Sequence, residues 1–206
     1  MEKQQQHLFI DFEFTMPERN TKYKGFQPEI IEVGIVAVVN DKIRETFSAY
    51  VAPNKFPILS ERCKSFLHIT QEQVDNGITF LGLLEKITEM GSCYSNTVVT
   101  WGNMDMKVLK NNCSMAGAAF PQFCSEVDLS MEYKRFFGDQ NQTGLWKAVR
   151  EYGSEGTGKH HRALDDALTT FDIFKFVEKD KRYLGNTETT TIGDLIDLSQ
   201  FYNKFA

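Results

Sequence analysis

The segment Leu-Phe-Ile-Asp-Phe-Glu-Phe at residues 8–14 constrains the fold of this chain more than any other feature. Because alternate side chains of a β-strand point to opposite faces of a sheet, Asp11 and Glu13 lie together on one face. The other face is wholly apolar and consists of Leu8, Ile10, Phe12 and Phe14. Neighbouring carboxylates repel each other and are costly to bury unless a cation or water compensates them. Taken alone, the pair fits an edge strand with one solvated face, and it indicates a metal site only if further acids join it.

The length and polarity of the chain indicate one domain without a membrane span. Its 206 residues are enough for a substantial core. We expect a single domain over 1–206, with the functional motifs within about 7–180 and a helical extension at about 187–206. No run of about 18 apolar residues is present, and the polar start MEKQQQH has no signal-peptide pattern. The net charge of −5 argues against a non-specific nucleic-acid coat protein, but not against an enzyme that acts on phosphates.

The cysteines bear on both location and metal type. They are scattered along the chain without a CxxC pair, at Cys63, Cys93, Cys113 and Cys124. This spacing is typical of free thiols in a reducing cytoplasm and not of a disulfide framework or a zinc site. We therefore expect a cytoplasmic protein in which any metal is bound by oxygen.

Apolar alternation, helical spacing and turn residues predict a mixed sheet with helices around it. Strands are predicted at 8–14, 29–39, 42–51, 97–102 and 123–130. Helices are predicted at 79–91, 104–117, 144–153, 162–180 and 192–205, with a basic loop at 17–28. Asn40 and Asp41 form a predicted hairpin turn, and Thr70 with Gln73 forms a predicted helix-capping box. A hairpin followed by alternating helices and strands is typical of an α/β fold with a mixed sheet.

Asp105 follows the predicted strand at 97–102 and begins the next predicted helix. An aspartate is favoured in a first helical turn by the free N–H groups and the helix dipole, which needs no function. However, ligands of open α/β sheets cluster at the carboxyl ends of strands. The position of Asp105 fits both explanations.

The segment KHHRALDDALTTF at 159–171 carries the remaining acids of interest. Asp165 and Asp166 lie on a predicted helix, away from the apolar face of Leu164, Leu168 or Ala167, Phe171 and Phe174. His161 precedes Asp166 by five residues, about 140° around an ideal helix. The two side chains converge only if His161 lies in the loop before the helix, which the upstream glycines favour. Taken alone, the segment also fits an ordinary solvated helix start.

Together, four segments resemble the DEDDh 3′→5′ exonucleases of the RNase H-like superfamily, and in particular their ERI-1-like branch. These segments are FIDFEFT, PEIIEVGIV, TWGNMD and HHRALDDA, and the similarity covers roughly residues 7–177. The resemblance implies a single exonuclease domain with an RNase H-like mixed five-stranded sheet, antiparallel over its first three strands and then parallel. One bacterial member of that branch is named as an inhibitor of a sporulation pathway, so sporulation and a signalling-protein partner are further expectations.

The resemblance also implies a metal site. Four carboxylates are expected to bind two Mg²⁺ or Mn²⁺ ions: Asp11, Glu13, Asp105 and Asp166. Asp11 is expected to bridge both ions, and Asp105 to act mainly through bound water. Such ions prefer carboxylate oxygens, and a pair of them can clamp the oxygens of a phosphodiester displacement. Asp165 remains the alternative to Asp166 as the fourth metal-binding carboxylate, because the two residues are adjacent.

Glu13 and His161 are the implied catalytic residues. His161, and not His160, has the family spacing to Asp166, and it is expected to take the proton from the attacking water. Anionic neighbours are expected to raise its pKa above the free value near 6.5. The implied substrate contacts are Phe14, Thr15, Leu67 in the segment 66–68, Met104 and His161. Met104 stands where relatives often carry Trp, and the cations Lys107, Lys110, Lys159 and Arg162 fit either phosphate contacts or solvent-facing charge.

The chain is therefore expected to be a two-metal 3′→5′ exonuclease that acts on the 3′ end of single-stranded nucleic acid and releases nucleoside 5′-monophosphates. The resemblance favours RNA over DNA. One alternative is a regulatory protein-binding scaffold of the same fold in a signalling pathway. Another is a phosphomonoesterase that uses the same two metals.

Overall fold

A five-stranded mixed sheet is the central element of the structure, a computed structural model that describes residues 3–19 and 25–186. Its strands are β1 (Gln5–Phe14), β2 (Ile30–Val39), β3 (Lys42–Tyr50), β4 (Ser95–Thr100) and β5 (Ser125–Asp128). They are ordered β3-β2-β1-β4-β5. The pairs β1–β2 and β2–β3 are antiparallel, whereas β1–β4 and β4–β5 are parallel. The predicted α/β class, strand number and strand directions are confirmed.

Helices surround this sheet in the described part of the chain. They are α1 (Glu61–Leu67), α2 (Gln71–Asp75), α3 (Phe80–Gly91), α4 (Met104–Ala116), α5 (Leu129–Phe137), α6 (Leu145–Glu151) and α7 (Ala163–Asn186). No helix among these is long and apolar enough to cross a membrane. The extension expected at 187–206, with its helix at 192–205, lies outside the described residues, as does part of the basic loop at 17–28.

Two of these helices, α1 and α5, were not predicted. Each is short, with seven residues in α1 and nine in α5, and α5 begins within the segment 123–130 that was predicted as a strand. Both begin at a side-chain cap: Ser60 accepts the N–H of Cys63, and Asp128 accepts the N–H of Met131. The strand predicted at 123–130 therefore ends at Asp128, because that residue is already the cap of the next helix.

Local signals were reliable elsewhere in the fold. Asn40 and Asp41 both have positive φ, 51° and 60°, as a two-residue hairpin turn requires. Thr70 and Gln73 form both hydrogen bonds of a capping box before α2. These short-range predictions are confirmed, because the interactions involve only neighbouring residues.

The two faces of β1 belong to different cores. Leu8, Ile10 and Phe12 are buried in a cluster with residues of α3 and α4. Phe9 points to the other face, where its ring lies 5.0 Å from that of Phe171 on α7. Asp11 and Glu13 share the face of Phe9 by strand alternation. The acids therefore point toward the side of the sheet that α7 covers.

Gly34 allows α7 to approach that side closely. It lies opposite Asp11 in the β1–β2 ladder. A Cβ atom at Gly34 would be only 2.2 Å from the backbone of Ala163 and Leu164. Only a glycine leaves room for the helix start here, and this contact brings the first turn of α7 over the acids of β1.

Candidate active site

Strand β1 supplies two acids, and β2 adds a third. Asp11 is partly exposed, whereas Glu13 is only 8% exposed. Glu32 lies directly opposite Glu13 in the antiparallel ladder and is buried. Residues opposite each other on neighbouring strands have adjacent side chains on the same face. The sheet therefore carries three neighbouring acids, where the sequence predicted two.

Asp105 joins these acids from the first turn of α4. It is buried, and its Oδ1 accepts the backbone N–H of Phe12 at 3.0 Å. That N–H belongs to β1 beyond the last residue paired with β4. Asp105 therefore does more than stabilise its own helix, since its carboxylate is tied to the strand that carries Asp11 and Glu13.

Asp166 and His161 come from the start of α7 and the loop before it. His161 has a φ of 63°, so it lies outside the helix, as convergence with Asp166 requires. Its backbone N–H donates to Oδ2 of Asp166 at 3.1 Å, and Oδ1 accepts the indole N–H of Trp146 at 2.6 Å. One ligand atom each of Glu13, His161 and Asp166 lies within 4.8 Å of the others. These three residues can hold a metal ion together.

Asp165 points away from this cluster. Its Oδ2 accepts the backbone N–H of Lys159 at 2.7 Å, and its carboxyl group packs against Gly158. His160 is exposed and stacks on His161 with a centroid distance of 3.8 Å. Asp165 and His160 therefore shape the loop, while Asp166 and His161 face Glu13.

The electrostatics of the cluster favour a cation. Burial raises the pKa of Asp11, Asp105 and Asp166, and neighbouring acids add to the rise. The same causes raise the pKa of Glu13 to about 8 and that of Glu32 to about 7. A bound cation would relieve this repulsion and keep the carboxylates ionised. The donor set of carboxylate oxygens fits a divalent metal ion such as Mg²⁺ or Mn²⁺.

The expected rise in the pKa of His161 is wrong. Burial lowers this pKa, and the neighbouring His160 and His68 lower it further. Nδ1 of His161 is 3.8 Å from Oε1 of Glu13. However, the raised pKa of Glu13 leaves that group largely protonated near neutral pH, so it offers little negative charge to offset the burial of the imidazole.

Arg162 was predicted to meet phosphate or solvent, but it forms an internal ion pair. Its guanidinium is 2.8 Å from Oε1 of Glu32 and also donates to the hydroxyl of Tyr50. The second oxygen of Glu32, Oε2, is buried and has no hydrogen-bond partner within 3–19 and 25–186. The sequence feature that could have identified Glu32 as a site residue is the one that identified Asp11, an acid within an apolar predicted strand.

The implied substrate contacts differ in their accessibility. Met104 is 48% exposed at the start of α4, and His161 is partly exposed. Leu67 is only 1% exposed and packs in a core cluster, so its side chain does not reach the site. Its neighbour Phe66 is 51% exposed, and its ring centroid lies 4.5 Å from that of His161. Of this pair, the structure therefore places the exposed Phe66, and not the predicted Leu67, beside the acid cluster.

Phe14 and Thr15 are engaged within the fold. Phe14 is partly buried against the core cluster on the other face of β1. The hydroxyl of Thr15 accepts the backbone N–H of Glu29 at 2.9 Å. Both side chains therefore already have partners within the fold.

Comparison with known proteins identifies relatives along nearly the whole chain. The family model RNase_T, described as "Exonuclease", matches residues 8–174. The "Probable 3'-5' exonuclease KapD" of Bacillus subtilis (strain 168) is 54% identical over 197 residues, which cover 96% of each chain. The human "3'-5' exoribonuclease 1" is 31% identical over 92% of this chain and 57% of its own length.

Solved structures show the same architecture. The nuclease domain of 3'hExo, described as a DEDDh family member bound to rAMP, superposes with a TM-score of 0.76. It is 31% identical and covers 85% of this chain and 92% of its own. Escherichia coli Exonuclease I in complex with a dT13 oligonucleotide has a TM-score of 0.71 at 15% identity, over 89% of this chain and 43% of its own. At that identity the likeness concerns the fold alone.

Proposed function

Because this chain belongs to the exonuclease family and is a 3′→5′ exonuclease of the DEDDh type, we propose that it releases nucleoside 5′-monophosphates from the 3′ end of single-stranded nucleic acid with the help of two divalent cations. The observation that carries the proposal is the convergence of Glu13, His161 and Asp166 within 4.8 Å, in a sheet region that also holds the buried acids Asp105 and Glu32. We propose RNA as the preferred substrate, which the exoribonuclease names of several relatives support.

We assign the cations to four carboxylates that would hold them, those of Asp11, Glu13, Asp105 and Asp166. When bound, two such ions stabilise the charge on the attacking and leaving oxygens of a phosphodiester. The protein's part is to hold the acids in place: Phe12 restrains Asp105, and Trp146 and His161 restrain Asp166. Mg²⁺ and Mn²⁺ are the ions proposed, because the donors are hard oxygens.

We assign His161 as the general base that takes the proton from the attacking water at an imidazole nitrogen. Its lowered pKa supports this role, since the imidazole is then neutral at physiological pH and free to accept a proton. Oε1 of Glu13 lies 3.8 Å from Nδ1 of this imidazole. The ring of Phe66 packs against the imidazole with 4.5 Å between centroids, which limits the orientations of the histidine.

We propose that Phe66 and Met104 contact the terminal nucleotide. Both are exposed next to catalytic groups, Phe66 beside His161 and Met104 beside Asp105. Aromatic and apolar side chains bind bases by stacking without reading their sequence. Leu67 is left out of this proposal because it is buried, and Phe14 and Thr15 because their side chains are engaged elsewhere.

The test is a mass analysis of products from matched RNA and DNA oligonucleotides that carry a 5′ label. With Mg²⁺ or Mn²⁺ we expect nucleoside 5′-monophosphates and a ladder of fragments that keep the label, and with EDTA no products. RNA should be degraded faster than DNA. Release of inorganic phosphate from copies that carry a 3′-terminal phosphate, with the chain otherwise intact, would indicate the phosphomonoesterase. An oligonucleotide left intact in both forms would indicate the binding scaffold. No observation favours a signalling-protein partner, so it stays a prediction from resemblance.

A further inference from the structure

We propose that Trp146 is a positioning residue of the active site, whose indole N–H holds the Asp166 carboxylate in the orientation that binds metal. This inference rests on the proposed function only in taking Asp166 as a metal ligand. It concerns a residue that the sequence did not single out.

The contact that carries the inference is a short hydrogen bond to a carboxylate. Nε1 of Trp146 is 2.6 Å from Oδ1 of Asp166, and the backbone N–H of His161 occupies Oδ2 at 3.1 Å. Among the residues that the structure describes, each oxygen has a single donor, so a lone pair of each is free to face a cation. Hydrogen bonds to an ionised acceptor are short and strong, and they gain further strength when partly buried.

The indole is itself held firmly. Trp146 lies at the start of α6 and packs against the cluster that joins α6 to α7. A Cβ at Gly156, where φ is 79°, would be 2.9 Å from Cζ3 of the indole. The ring of His160 lies 5.2 Å from the indole between centroids. The loop that carries His161 thus contacts the same indole that restrains Asp166.

A purely structural role is the alternative, and the chain offers a matched control for it. The other tryptophan, Trp101, is also partly buried, but its Nε1 donates to the backbone carbonyl of Thr143 at 3.0 Å. Trp146→Phe and Trp101→Phe each remove an indole N–H and keep an aromatic ring. Only the first removes a donor from a carboxylate of the site.

The first test measures metal binding to the full chain by calorimetry. Removal of a partner that orients a metal ligand typically weakens metal affinity about 10- to 100-fold. We expect that loss in Trp146→Phe, with the melting temperature close to that of Trp101→Phe, and no loss in Trp101→Phe. The loss should disappear when Trp146→Phe is combined with Asp166→Asn, because the contact is then already broken. A folded Trp146→Phe variant with wild-type metal affinity would overturn the inference.

The kinetic signature separates positioning from substrate contact. Trp146→Phe should lower kcat at subsaturating metal and leave the KM for the oligonucleotide unchanged, because the indole N–H is engaged by the Asp166 carboxylate. A change in KM alone would contradict the inference.

The second test does not depend on the folding of Trp146→Phe. In Trp101→Phe, Trp146 is the sole tryptophan, so its fluorescence reports on the Asp166 carboxylate. Addition of Mg²⁺ should shift the emission in a saturable way, and Asp166→Asn should abolish the shift. An unchanged emission while calorimetry records metal binding would overturn the inference. If the wild type binds metal with these properties but degrades no oligonucleotide, the proposed function fails and the role of Trp146 stands.

Discussion

At the scale of single residues, the acids of the site differ in the groups that compensate their negative charge. Asp105 accepts a backbone N–H, Asp166 accepts two N–H groups, and Glu32 is paired with Arg162. Glu13 has a pKa raised to about 8, so in the absence of metal it tends to hold a proton near neutral pH. A metal ion binds the ionised form of Glu13, so metal binding must displace this proton.

Glu13→Gln removes that charge and keeps the size of the side chain. We expect turnover to fall to near background while the fold survives, because a neutral amide is a poor ligand for Mg²⁺. Oligonucleotide degradation at saturating metal, together with circular dichroism, measures both parts. Degradation at the wild-type rate would contradict the carboxylate assignment.

The adjacent pair Asp165 and Asp166 tests the placement of α7. Asp166→Asn should abolish activity and weaken metal binding, because this carboxylate faces Glu13. Asp165→Asn should keep most of both, because its carboxylate holds the backbone of Lys159. Measurements of turnover and of metal affinity by calorimetry in the two variants decide which aspartate is the metal ligand. A larger loss in Asp165→Asn than in Asp166→Asn would assign that role to Asp165.

His161→Ala should lower turnover about 10²–10⁴-fold, the usual contribution of a positioned base. Because the pKa of His161 is lowered, wild-type activity should rise with pH through a value below the usual 6.5, where the imidazole loses its proton. This rise of activity with pH should flatten in His161→Ala at saturating metal. A pH profile of kcat that is the same in both proteins would remove His161 from the mechanism.

His160→Ala is the matched control for that experiment. It should keep most of the turnover, because His160 is exposed and lies outside the acid cluster. In the same variant the rise of activity should shift to higher pH, since His160 is one of the groups that lower the pKa of His161.

At the scale of secondary-structure elements, the site depends on how closely α7 lies on the sheet. Gly34→Ala would place a Cβ 2.2 Å from the backbone of Ala163. Backbone atoms cannot yield as a flexible side chain can, so the helix start must move away. We expect a loss of about 1–3 kcal/mol in the free energy of unfolding, and a disproportionate loss of activity as Asp166 moves from Glu13.

Gly144→Ala is the control for this substitution. Gly144 has a φ of −67°, and a Cβ there would have no atom within 4 Å. Urea unfolding and oligonucleotide turnover should therefore be close to wild type in Gly144→Ala. Equal behaviour of the two variants would mean that the contact of Gly34 with α7 does not set the position of Asp166.

At the scale of the whole molecule, the site should make stability depend on both pH and metal. The pKa of Glu13 rises from 4.5 to about 8 on folding, and that of Glu32 to about 7. The folded protein then binds more protons than the unfolded chain, so the stability of the metal-free protein should fall as pH rises through this window. Mg²⁺ replaces those protons and should raise the melting temperature more at about pH 8.5 than at about pH 6.5.

Thermal unfolding in EDTA and in Mg²⁺, at constant ionic strength, measures this dependence. Glu13→Gln is the control, because it removes the carboxyl group whose pKa folding raises to about 8 and should flatten the fall in metal-free stability with pH. The lowered pKa values of His7 and His161 act in the opposite direction near pH 6.5, so the comparison with Glu13→Gln isolates the carboxyl contribution. Identical pH dependence in the two proteins would contradict the linkage.

The sequence by itself determined the features that follow from short-range periodicity. Strand alternation placed Asp11 and Glu13 on one face, the turn residues Asn40 and Asp41 closed the hairpin, and the class of the sheet followed from the order of elements. The family resemblance added the spacing that separates Asp166 from Asp165. Such patterns can be recognised in the sequence because the direction of a side chain depends mainly on the conformation of its own backbone.

Only the tertiary structure decided which distant residues meet at these acids. Trp146, Glu32 and Phe66 reach the site because α6, β2 and α1 happen to pack beside it, and no local period reports that packing. The direction of the pKa shift of His161 depended on burial and on its neighbours in space, which reversed the sequence-based expectation. The physical reason is that contacts between elements far apart in the chain are set by sheet order and by close approaches such as that at Gly34, whereas sequence patterns report only on the nearest residues.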